Sequence, residues 1–125
     1  MRKRKENKMK FNLNIAQVVN DMLQAALPHL TKGGRQASEF ASHEFQQYII
    51  DIEHIQTMVE EKKVTDEEAQ FLVDQYKLSM KAVLLTVEGL GVIAVQKAIN
   101  AALDVLKQAL STALGAAFKS IKFAI

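Results

Sequence analysis

From position 15 onward, apolar residues recur every three or four positions, the period of an α-helix with one face turned to a core. Ile15, Val18, Val19, Met22, Ala25 and Ala26 make the first run. Asn14 stands before it in the N-cap place with Gln17 three positions on. A helix is therefore expected over about 15–30, ended or kinked by Pro28 and broken by Gly33-Gly34. A second helix is expected over about 35–62, where Ala41, Phe45, Tyr48, Ile52, Ile55 and Val59 follow a 4-3-4-3-4 spacing, that of a coiled-coil seam. Phe40, Ile49 and Met58 widen that seam, as suits a helix with more than one neighbour.

Thr65-Asp66-Glu67-Glu68 reads as a capping box, with acidic residues favoured at the positive end of the helix dipole. The connection before it is short, so the flanking helices are antiparallel neighbours. The seam of this hairpin is assigned to Phe45, Tyr48, Ile52, Ile55 and Val59 on one side and Leu72, Tyr76 and Val83 on the other.

Beyond Asp66 the apolar stripe runs through Ala69, Leu72, Tyr76, Met80, Val83, Val87, Leu90 and Ala94, with no Asn, Asp or Pro in the part after Asp74 until Asn100. Only Gly89 and Gly91 interrupt it, each costing about 1 kcal/mol against alanine inside a helix. The pattern favours one helix over 66–118, kinked at Gly89/Gly91, above a hairpin there. Such a helix would be roughly 80 Å long, far beyond the size of a compact chain of this length.

Its second half carries one polar stripe, Lys97, Asn100, Asp104, Lys107 and Ser111. That leaves an apolar arc of roughly 200°. Within it, Leu90, Val95, Ile99, Leu103, Leu106, Leu110 and Leu114 are the expected association interface. The fold class is all-α: an antiparallel helical hairpin or bundle with a long C-terminal helix, assembled as an oligomer. The alternative is a monomeric up-down four-helix bundle that folds back at the two glycines and seals the same arc inside.

Composition fits one helical domain over 14–125 behind a basic, flexible tail at 1–13. The 125 residues include one proline, five glycines and no cysteine, which excludes disulfide scaffolds and thiolate metal sites. The net charge of +2 conceals three blocks. Residues 1–10 carry six basic side chains and one acidic, residues 11–74 four and eleven, and residues 75–125 six and two. Arg2, Lys3, Arg4 and Lys5 are candidate contacts for nucleic acid or anionic lipid, though no aromatic platform or recognition helix accompanies them. No signal peptide or transmembrane span is expected, and the location is read as cytoplasmic or within a larger assembly.

Catalytic chemistry is weakly represented. Gly89-Leu90-Gly91-Val92-Ile93-Ala94 matches the start of a dinucleotide fingerprint, but the chain lacks the second strand and acidic residue that the fingerprint needs. His43 and His54 share a helical face but lie about 16 Å apart along the axis, too far for one metal ion. No cofactor, metal or small-molecule substrate is expected, and the chain is read as non-enzymatic. The expected function is self-assembly through the last helix, with itself as partner in a homo-oligomer or filament. A membrane-active helical protein and a helix-binding adaptor are the rival readings.

Overall fold

The computed structural model describes residues 14–110, all in helices and the turns between them. Helix α1 spans Ile15–Ala26, α2 Gly34–Glu60, α3 Asp66–Leu85 and α4 Val92–Leu110. Two single 3-10 turns, Leu27–His29 and Thr31–Gly33, join α1 to α2. The first places Pro28 in its opening positions, where a missing N–H leaves no helical bond unmade. α1 packs against α4 and α2, α2 against α3, and α3 against α4, which closes a ring of four helices.

Local chemistry sets the helix starts. The Asn14 side chain accepts a hydrogen bond from the Gln17 N–H at 3.1 Å. Gln17 does not complete a capping box, because its amide turns forward to donate to Asp21. At Thr65 the box is complete: its hydroxyl accepts from the Glu68 N–H, and the Glu68 carboxylate accepts from the Thr65 N–H.

The expectation of one helix over 66–118 is corrected. α3 ends at Leu85, and the Thr86 hydroxyl turns back to donate to the Val83 carbonyl at 2.6 Å. The Leu90 N–H then donates to the Val87 carbonyl at 3.2 Å, closing a four-residue turn with Gly89 in third place. Gly89 has φ 94°, a conformation that side-chain-bearing residues rarely adopt and that a type II turn demands at that place. The turn also lies hard against the first connection: a Cβ on Gly89 would stand 2.6 Å from the Lys32 carbonyl oxygen. Gly33 meets the turn from the other side, where a Cβ would approach the Val87 and Leu90 side chains to 3.0 Å.

This hairpin changes what α4 does with its apolar arc. Val95, Ile99, Leu103, Leu106 and Leu110, expected as a surface between subunits, are buried in the core of their own chain. Leu90 is partly buried against the same core, and Leu114 lies outside the described residues. The physical reason is the fold-back: split at 86–91, the rod becomes two pieces of 20 and 19 residues, matched to each other and both shorter than the 27-residue α2. α1 lays its own apolar stripe, Val18, Val19, Met22 and Ala26, on the remaining side. The finding for the described residues is an all-α four-helix arrangement. Arg2, Lys3, Arg4 and Lys5 lie outside the described residues.

Candidate association surface on α3

Most of the sequence-assigned hairpin seam lies between α2 and α3. Phe45, Tyr48, Ile52 and Ile55 are buried, while Val59, Leu72 and Tyr76 are partly buried against the core. Val83 is half-buried beside Phe40, His43 and Glu44. Among the described residues no cluster of three or more histidines or carboxylates is placed to hold a metal ion. No described helix is long and apolar enough to cross a membrane.

One member of the seam is polar at its tip and sealed from water. The Tyr48 hydroxyl is buried without a hydrogen-bond partner among the described residues. Burial, reinforced by the charges of Asp74 and Asp51, pushes its ionisation far above the usual tyrosine range. A small cleft of about 150 Å³ lies alongside, lined by Glu44, Gln47, Tyr48, Asp51, Tyr76, Ser79 and Met80. Desolvation raises the Asp51 carboxyl, against the hydrogen bond from Gln47 and the nearby charge of His54. An unpartnered buried hydroxyl costs roughly 1–3 kcal/mol. Tyr48→Phe is therefore expected to stabilise the protein by about 1 kcal/mol in chemical denaturation. A loss of stability on that substitution would mean the hydroxyl is bonded in solution.

α3 has an unusual distribution of apolar residues. Its inner face buries Ala69, Val73, Lys77, Met80 and Leu84. A half-turn away, Phe71 and Leu78 stand 60% and 55% exposed, one heptad apart. Gln75 and Ala82, both exposed, and the partly buried Leu85 fill in a 4-3-4-3 series from Phe71 to Leu85. At 100° per residue these five positions cluster on the side opposite the core. α3 is thus apolar on two opposite faces, and the second is turned outward.

Charge borders this outer series. Asp74 and Lys81 lie on one flank, seven residues apart and opposite in sign. Asp74 accepts hydrogen bonds from Gln70 at 3.0 Å and from the Lys77 ammonium at 3.0 Å. Desolvation pulls the Asp74 carboxyl upward, but these two bonds and the lysine charge outweigh it and leave it below its ordinary value. It is a fixed, ionised group at neutral pH. The Lys77 stem runs through buried surface to reach it, which is how a lysine sits on the inner face.

The sequence reading missed Phe71 and Leu78. Their signal was present as a heptad repeat with Leu85, but a single inner stripe through Leu72, Tyr76 and Val83 had already accounted for the helical period. Comparison of the chain with protein-family models, with curated proteins and with solved structures finds no match.

Proposed function

We propose that this chain is a non-enzymatic helical protein that associates with a second copy of itself through the outward face of α3. The supporting observation is the series Phe71, Gln75, Leu78, Ala82 and Leu85, which has the spacing of a coiled-coil seam and whose first four members are exposed, while Leu85 is partly buried at its end. The interface differs from the one expected on α4, where Val95, Ile99, Leu103, Leu106 and Leu110 are buried within the bundle.

The flanking charges favour an antiparallel pair. With two α3 helices running in opposite directions about a two-fold axis, Asp74 of one copy comes beside Lys81 of the other, and the reverse pairing follows by symmetry. In the same register Phe71 opposes the second copy's Ala82, a large residue over a small one, and Leu78 opposes the second copy's Gln75. One polar residue in such a seam fixes register at a cost in affinity. A single helix pair lies at the small end of specific interfaces, below about 1,200 Å², so the dimer is a weak and reversible one.

Sedimentation velocity over a concentration series tests this. A monomer–dimer equilibrium that shifts within the micromolar to millimolar range supports the proposal. A species that stays monomeric up to millimolar concentration overturns it. A dimer unaffected by substitution of Leu78 would place association elsewhere on the molecule.

A further inference from the structure

The end of the bundle that carries both connecting turns has a second exposed apolar feature, separate from α3. Val92 and Ile93, in the first turn of α4, are 50% and 70% exposed. Ile93 heads the stripe that continues as Lys97, Asn100, Asp104 and Lys107, so an isoleucine occupies a place where every later turn shows a polar side chain. Among the large apolar residues exposed in the described part of the chain, these two are the sequence neighbours.

The corner they occupy is braced. Gly89 permits the turn at 86–91 to lie directly on the Lys32 carbonyl, and Gly33 lets the Val87 and Leu90 side chains close in from the other side. Lys32 and Arg35 are exposed at this end, and Lys97 is exposed one turn along α4 from Ile93. Lys81 is half-buried near the end of α3. The carboxylates in the segments around them are Glu39 in α2, Glu88 in the turn, and Asp21 and Asp104 further along α1 and α4. Around the other connection, between α2 and α3, the balance is reversed: Glu60, Glu61, Asp66, Glu67 and Glu68 are exposed there with only Lys62 and Lys63 against them. Exposed cations and the two exposed aliphatic side chains thus share the end formed by the first and third connections.

We infer that this end is a contact site for an anionic lipid surface, with Val92 and Ile93 entering the headgroup layer while Lys32, Arg35 and Lys97 face its phosphates. The exposed cations at this end supply the electrostatic attraction to such a surface. The aliphatic pair then adds an attraction that no soluble polyanion provides. This surface is distinct from the outward face of α3, so failure of either proposal leaves the other standing.

Co-sedimentation with vesicles tests the inference, using phosphatidylcholine alone and phosphatidylcholine mixed with phosphatidylserine. The full chain is expected to bind the mixed vesicles and to be released by high salt. The double variant Val92→Asp with Ile93→Asp is expected to bind about tenfold more weakly, with its thermal melting unchanged because both positions are exposed. Undiminished binding by that variant overturns the inference. If binding instead disappears on reversing the charges of Arg2, Lys3, Arg4 and Lys5 while the double variant still binds, the contact belongs to the basic N-terminal stretch, and the inference is likewise overturned.

Discussion

Gly89→Ala is expected to destabilise the protein by about 3 kcal/mol, because the alanine would have to hold a positive φ and fit its Cβ against a backbone carbonyl. Neither strain has a cheap escape. The φ of 94° is fixed by the turn that reverses the chain, and the atom 2.6 Å away is the Lys32 carbonyl oxygen rather than the end of a flexible side chain. For a domain of this size the loss corresponds to a fall in melting temperature of roughly 15 °C. The sign is diagnostic. Were the chain one long helix through this point, replacing glycine by alanine would stabilise it by about 1 kcal/mol. Gly91 supplies the internal control: its φ is not positive and nothing among the described residues lies within 4 Å of a Cβ placed there. Gly91→Ala is expected to change stability by less than about 1 kcal/mol, so the pair of variants, compared by thermal or chemical denaturation, locates the strain at one residue.

That turn also explains why the sequence was misleading. A loop is ordinarily recognised by polar and turn-forming residues because its side chains face water. Here Val87 is buried, Leu90 is partly buried, and the reversal is built from residues that serve the core, with glycine carrying the whole of the conformational demand. The helix starts were readable for the opposite reason. Asn14 and Thr65 act through short-range hydrogen bonds to residues three positions away, which depend on nothing distant in the chain. The pairing of α2 with α3 was similarly local, since a short connection and two matched stripes leave little freedom. The destination of the α4 arc was not local at all. Its burial depends on a fold-back that turns on Gly89, and on α1 arriving from the far end of the sequence to cover it.

The outer face of α3 was obscured by superposition. Two apolar stripes on opposite sides of one helix largely cancel each other's periodicity, so the segment reads as a helix of indistinct facing. Only once the inner set, Ala69, Val73, Met80 and Leu84, is placed in the core does the residual heptad of Phe71, Leu78 and Leu85 stand out. The functional proposal rests on that residue set, and it is legible in the sequence only after the fold is known.

Leu78→Glu and Leu103→Glu are expected to separate association from folding. Leu103 is 1% exposed, so a glutamate there would enter the core without a partner. The combined loss of packing and burial of a carboxylate is of the order of 4 kcal/mol or more, enough to unfold a domain of ordinary stability. Leu78 is more than half exposed, and a glutamate there keeps its contact with water. Its effect on the stability of the isolated chain is expected to stay within about 0.5 kcal/mol. In the antiparallel pair the same substitution acts twice, because the two-fold axis brings Leu78 of each copy into the seam. Each new carboxylate would be desolvated against the facing copy close to the ionised Asp74. Dimer formation in sedimentation velocity should then weaken by about a hundredfold, while circular dichroism shows an unchanged bundle. Dispersal by Leu103→Glu with the fold intact would return the interface to α4 and contradict the burial on which this argument rests. A Leu78→Glu protein that associates as strongly as the unmodified chain would remove the outward face of α3 from consideration.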